Sequence, residues 1–149
     1  MADTDLIKLY SGRILELAAN IPFTDQIHSP QATVKKRSPH CGSTVTVQLS
    51  TENGLISEFG QDVKACALGQ ASASVLAAQV IGRSKHEILA AREQLTEMLK
   101  RNGDVPSEPF EDYEVLIPAR EFKNRHASIM LALDATVDAM ELAEQSDCA

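Results

Sequence analysis

Apolar positions repeat with a helical period at both ends of the chain and with a strand period between them. "DLIKLYSGRILELA" sets Leu6, Tyr10, Ile14, Leu17 and Ala18 on one helical face, with Thr4 or Asp5 as N-cap, and Pro22 ends that helix. "QATVKKR" reads as a short strand. "STVTVQL" alternates strictly, with Val45, Val47 and Leu49 on one face and Thr44, Thr46 and Gln48 on the other, the pattern of a half-buried strand. Asn53-Gly54 supplies the positive φ angles of a tight turn, after which "LISEFG" returns antiparallel. From Cys66 onward the period is helical. A helix from Ala67 to Ile81 is expected to close at Gly82, and Ser84 with Glu87 forms a capping box for the next helix, through about Lys100. Beyond the Pro- and acid-rich loop "NGDVPSEPFEDYEVL", Pro118 is expected to open a last helix running to about Glu144. Its stripe is Phe122, His126, Ile129, Leu133, Val137 and Met140.

One helix, a three-stranded meander and three further helices predict an α+β two-layer domain: a small antiparallel sheet with helices packed on one face. A chain of 149 residues, 44% hydrophobic and 23% charged, suits one globular domain, assigned here to residues 1–149. The net charge of -7 argues against nucleic acid as a partner, because 14 Lys+Arg against 21 Asp+Glu supply a basic surface only locally, at Lys35-Lys36-Arg37. The apolar run Val75 to Ile81 falls far short of the ~20 residues that span a bilayer, and "MADTDLIKLY" lacks the cationic-then-apolar order of a signal peptide. A cytoplasmic protein with no membrane partner is expected. Cys41, Cys66 and Cys148 are an odd, sparse set, which points away from a secreted disulfide framework and towards thiol chemistry.

Cys66 stands immediately before a helix whose first turn carries unpaired N–H groups and partial positive charge, a setting that favours a thiolate. Gly69, Ala71, Ser72, Ala73 and Ser74 follow it, small residues that let neighbouring backbone approach closely. Packing as a small buried hydrophobe is the competing reading for an isolated cysteine. Cys41 lies in "SPHCGSTV", an inter-strand loop flanked by Pro39 and Gly42, which shape the backbone rather than fill a core. Two thiols in two such loops suit a shared tetrahedral metal if the fold brings the loops together.

"PHCGS" and "CALGQASAS", with 25 positions from Cys41 to Cys66, resemble the two cysteine motifs of the IscU/SufU/NifU iron-sulfur scaffold family. The resemblance extends over nearly the whole chain, through "LYSGRI", "FGQDVKACALGQASASVLA" and "IPAR", the last closer to the SufU type. It implies the SufE/IscU-like fold and a carrier rather than an enzyme. The implied cargo is a nascent iron-sulfur cluster, or persulfide from a cysteine desulfurase, passed on to apo iron-sulfur proteins; zinc is the other implied ligand. By the same resemblance Cys41 and Cys66 are the ligands. The chain departs from the family pattern at two places. Ser43 occupies the position of the aspartate in the family's Cys-Gly-Asp motif, and Ser128 the position of its third cysteine. His126, two residues before Ser128, is the candidate replacement, since neutral imidazole binds zinc and iron. Its place on the stripe with Phe122 and Ile129 also fits a core or rim histidine. An alternative function follows from the lost ligands: a degenerate scaffold homologue that acts as an interaction protein, for example docking a desulfurase.

The remaining features are weaker. Cys148 reads as a free tail thiol, His40 as a solvated loop residue and "KKR" as a basic strand edge. Arg120, Lys123 and Arg125 oppose the dipole of the helix they were expected to open, which suggests a partner or ligand surface.

Overall fold

In the computed structural model of the protein, which describes residues 11–39 and 42–148, the alternating segment forms the middle strand of a three-stranded antiparallel sheet. Strand β1 is Ala32–Arg37, β2 is Thr44–Glu52 and β3 is Leu55–Lys64, in the order β1-β2-β3. The apolar face is the one the alternation marks: Val45, Val47 and Leu49 are buried. Asn53 and Gly54 both take positive φ, 56° and 80°, and close the β2–β3 turn. β3 runs past the expected Gly60 to Lys64, because β2 offers partners as far back as Thr44, which pairs with Lys64. A register shift at Ser50/Thr51 absorbs the extra residue in the hairpin. The continuation places Gln61 opposite Val47 on the buried face, where its Nε2 donates to the carbonyls of Pro22 (3.2 Å) and Ala73 (3.4 Å).

Helix α1, Gly12–Ala19, is capped by Ser11, whose hydroxyl accepts from the Ile14 N–H. The caps expected at Thr4 or Asp5 lie outside the described residues. Helix α2, Ala67–Ala78, ends earlier than Gly82. Gly82 instead takes a φ of 85° in a turn that donates its N–H to Ile56, tying the end of the segment to β3. Helix α3, Lys85–Lys100, begins with the complete Ser84/Glu87 capping box. Pro118 does not open the last helix: it lies inside a 3-10 segment, Glu111–Glu121, followed by a short 3-10 turn, Lys123–Arg125. Phe122, at ψ 72°, interrupts the path, and helix α4 starts at His126 and extends to Cys148. Pro118 lacks an N–H and disfavours α geometry at Ile117, so the segment before Phe122 settles into 3-10 turns.

The four described helices lie against one another or the same sheet face. α2 is buried almost all round, from Leu68 to Ala77, and its small residues let α1 and α4 pack on it closely. α4 buries Ile129, Leu133, Val137 and Met140, the predicted stripe. Its small residues Ala132, Ala135 and Ala139 are buried as well. The segment before β1 crosses the edge and outer side of the sheet, with Ile27 N–H donating to Gln48 Oε1 and Gln31 bonded to Ser50 and Thr51. No described helix is long and apolar enough to cross a membrane.

Candidate functional site

Cys66 is the N-cap residue of α2, with extended backbone (φ −66°, ψ 168°) and a half-buried side chain that makes no cap hydrogen bond. It meets the first turn of α4, where Ser128 Oγ lies 3.6 Å from Cys66 Sγ. Ser128 Oγ in turn is 3.1 Å from Ser43 Oγ, so one hydroxyl bridges the thiol and the strand loop. Both serines are buried, at 4% and 1% exposure, which fixes their hydrogen bonding within the cluster's low-dielectric surroundings.

Three chain segments make this junction. Ser43 comes from the β1–β2 connection, which the Ser38 N–H closes by donating to the Ser43 carbonyl at 2.8 Å; Gly42 there takes a φ of 70°. Cys41, in the same connection, lies outside the described residues, as does His40. Cys66 comes from the end of β3, and Ser128 from the start of α4. α2 and α4 approach so closely that a Cβ on Gly69 would stand 2.6 Å from Ser128 Oγ and 2.8 Å from the Ala65 Cβ. Ser72 strengthens the same contact by donating its hydroxyl to the Ile129 carbonyl at 2.6 Å. The small residues after Cys66 are therefore the packing surface that carries Ser128 up to the thiol.

His126 leaves α4 on another side. Two residues of α-helix turn the side-chain direction by about 200°, and while Ser128 faces Cys66, His126 Nε2 is 2.9 Å from the Ala119 carbonyl. As a donor to that oxygen the ring fastens α4 to the 3-10 segment. It also lines a groove with Lys100, Lys123 and Asp134. Arg120, read above as part of a partner surface, donates from Nε to the Met98 carbonyl (2.7 Å) and from Nη2 to the Gly103 carbonyl (2.8 Å), closing the carboxy-terminal end of α3. Lys36 of the basic strand edge bonds Asp138 of α4 at 2.8 Å, stitching sheet to helix. Burial pushes the Asp134 carboxyl above its ordinary range, against the opposing pull of Arg92, whose Nη1 is 3.8 Å away.

Around Cys66, then, the described donors are one thiol and two neutral hydroxyls. Among the described residues no group of three or more His, Cys, Asp or Glu side chains is placed to hold a metal ion. A structural zinc site takes four ligands from thiolate, imidazole and carboxylate groups. Among the described residues the junction supplies one such ligand, Cys66, so the described side chains do not by themselves complete a zinc or cluster site.

A family model described as the NifU-like N terminal domain matches residues 9–115. Among solved structures, the amino-terminal part of a nitrogen-fixing NifU-like protein from Brucella abortus is 43% identical, with 95% of this chain and 98% of that one covered and a TM-score of 0.92. Two curated relatives are named as iron-sulfur cluster assembly scaffold protein IscU. That of Streptococcus pyogenes serotype M1 is 24% identical over 141 residues, 95% of this chain and 88% of the relative. That of Thermotoga maritima is 27% identical over 90 residues, 60% of this chain and 63% of the relative, so the match spans less than two thirds of its length.

Proposed function

Because this chain belongs to the NifU-like N-terminal domain family, we propose that it is a carrier in iron-sulfur cluster assembly, with Cys66 as the principal thiol and Cys41 as the second. The observation that carries this reading is the convergence of Cys66, Ser128 and Ser43 from three segments on one half-exposed junction. A thiol merely filling the core would have no need of a built polar setting. A cysteine desulfurase is the proposed source of sulfur and apo iron-sulfur proteins the proposed recipients. His126 is left out of the proposed site, since its Nε2 is engaged with the Ala119 carbonyl.

The hydroxyl pair also favours a second reading, in which the fold persists as a docking partner of the desulfurase and carries nothing. The two readings separate in a reconstituted reaction containing desulfurase, cysteine, ferrous iron and an apo-ferredoxin. Under the carrier reading the parent protein accelerates cluster appearance on the ferredoxin, and Cys66→Ala abolishes the gain while Cys41→Ala weakens it. Cysteine variants as active as the parent would refute the carrier reading and leave docking alone.

A further inference from the structure

The sheet has two outer edges, and the chain treats them differently. Along β3 the Gln61 N–H points away from β2 and donates to the Phe23 carbonyl at 2.8 Å, so the segment before β1 covers that edge. Among the described residues nothing comparable covers β1. The Ser38 N–H donates to the Ser43 carbonyl, which continues the pairing of Arg37 with Thr44. Backbone groups alternate in direction along an antiparallel strand, so Lys36, Val34 and Ala32 face β2 together with Ser38. Thr33, Lys35 and Arg37 therefore aim their N–H and C=O groups outwards, and no described residue bonds them. We propose that this open edge of β1 is a docking site for an extended, acidic segment of a partner protein, which joins the sheet as a fourth strand. The proposal does not depend on what the thiols carry.

The side chains decide which strand fits. Ala32, Val34 and Lys36 lie on the helix side, where Lys36 bonds Asp138 of α4. Thr33, Lys35 and Arg37 are exposed on the other side. Lys35 and Arg37 have no ion-pair partner among the described residues. The residues that offer free main-chain groups are thus the ones that display free positive charge. A strand laid antiparallel along β1 puts one residue opposite each of them, and acidic residues two apart make cross-strand pairs with both Lys35 and Arg37. The residue opposite Val34 faces the helix side, and an apolar side chain there covers what half-buried Val34 leaves open.

Other occupants fit less well. A second copy of this chain, paired through β1 about Lys35, would set Lys35 against Lys35, and like charges directly opposite destabilise a strand pair. Nucleic acid would find the two cations but has no use for the free ladder groups, and it would meet a chain of net charge -7. Lysines on an exposed edge keep unwanted strands away. The same charges admit one class of strand, the acidic one, by the main-chain bonding through which peptides are added to sheet edges.

The test uses the full chain and a probe peptide, Thr-Glu-Val-Glu-Val-Thr, with fluorescein at its amino terminus and an amide at its carboxy terminus, titrated by fluorescence anisotropy at low salt. In a second peptide both Glu are replaced by Lys. In a third both Glu carry N-methyl groups, which remove the N–H groups aimed at β1 and keep the charge. The expected result is saturable binding of the first peptide and binding at least about tenfold weaker for each of the others. Lys35→Glu with Arg37→Glu, two exposed changes, should reverse the preference between the Glu and Lys peptides. Thr33→Pro, which removes one outward N–H without altering charge and is tolerated on an edge strand, should weaken the Glu peptide. No saturable binding of the Glu peptide would overturn the proposal. Equal binding of the N-methylated peptide would mean attraction of charge without strand addition, and would overturn it as well. A parent that sediments as a dimer and becomes monomeric on Thr33→Pro would assign the edge to a second copy. Tighter binding of a single-stranded DNA oligonucleotide than of the Glu peptide would assign the two cations to phosphate instead. None of these measurements involves a thiol, so failure here leaves the carrier reading standing.

Discussion

Replacing Gly69 by alanine tests whether the thiol junction is set by helix packing. Gly→Ala inside a helix should stabilise, by about 1 kcal/mol from propensity alone. Here the added Cβ would stand 2.6 Å from Ser128 Oγ, 2.8 Å from the Ala65 Cβ and 3.2 Å from the Ser128 carbonyl oxygen. The serine hydroxyl can rotate away, at the cost of its contacts with Cys66 and Ser43, but the Ala65 methyl and the Ser128 carbonyl move only with their backbone. Overpacking of this kind costs about 1–3 kcal/mol, which cancels or outweighs the propensity gain and leaves a net loss of up to about 2 kcal/mol. In a chain of this size each kcal/mol lowers the melting temperature by about 2–4 °C. Thermal unfolding gives the stability, and the alkylation rate of Cys66 reports the position of Ser128. Ser128→Ala removes the nearest clashing atom, so the double variant should recover part of the loss, a coupling a double-mutant cycle measures. A Gly69→Ala protein more stable than the parent by the full propensity gain of about 1 kcal/mol would mean that α2 and α4 are not in tight contact there, and the packing account of the small-residue segment would fail.

Three further outcomes follow from the same structure. Ser84→Ala removes one half of the capping box and should cost about 1 kcal/mol at neutral pH, read as a lowered melting temperature. The backbone N–H of Ser84 chiefly holds the Glu87 carboxyl below its usual range, so its contribution is present above the unfolded carboxyl value and is lost as pH falls through the lowered folded value. Urea titrations at descending pH should show the effect of Glu87→Gln fading in that acid window. Asp134 has the opposite sign: burial raises its folded value, so the native state disfavours the ionised form at neutral pH. Asp134→Asn should therefore raise the melting temperature at pH 7 by no more than about 2–4 °C, the size of 1 kcal/mol, and lose that advantage once pH falls below the ordinary aspartate range.

The legible parts of the fold are those in which one local signal decides the structure. Strict alternation in "STVTVQL" fixed which face of β2 is buried, and Asn53-Gly54 and the Ser84/Glu87 box marked a turn and a helix start that depend on neighbouring residues only. The boundaries set by distant partners were not legible. β3 continues to Lys64 because β2 is there to pair with it, and α2 stops at Ala78 because the residues beyond it turn to bond β3. Nothing in "QDVK" or "AQVIG" announces either event. Pro118 misled for a related reason: its fixed φ suits a first helical turn, yet it is equally compatible with a 3-10 segment, and the conformation of Phe122 separates the two.

At the site the same distinction separates Ser128 from His126. Helical periodicity groups His126 with Ile129 and Leu133, and all three are buried, as the stripe requires. Periodicity reports that a face is covered without saying what covers it. For His126 the cover is the 3-10 segment, whose Ala119 carbonyl takes the imidazole nitrogen, and no spacing rule contains that carbonyl. Ser128 carried no chemical signal of its own, because a serine near a helix start is ordinary. Its importance came only from the resemblance, which implies a cysteine at that position, and its hydroxyl stands 3.6 Å from Cys66 Sγ. Ser43 and Ser128 each stand where the pattern has a stronger ligand, and in the folded chain they face each other across 3.1 Å. Two substitutions that look independent in the sequence thus form a single hydrogen-bonded unit. Ser43→Asp or Ser128→Cys alone would leave a neutral hydroxyl, a weak metal donor, at the other position, so a gain in zinc binding is expected of the double variant and not of either single one.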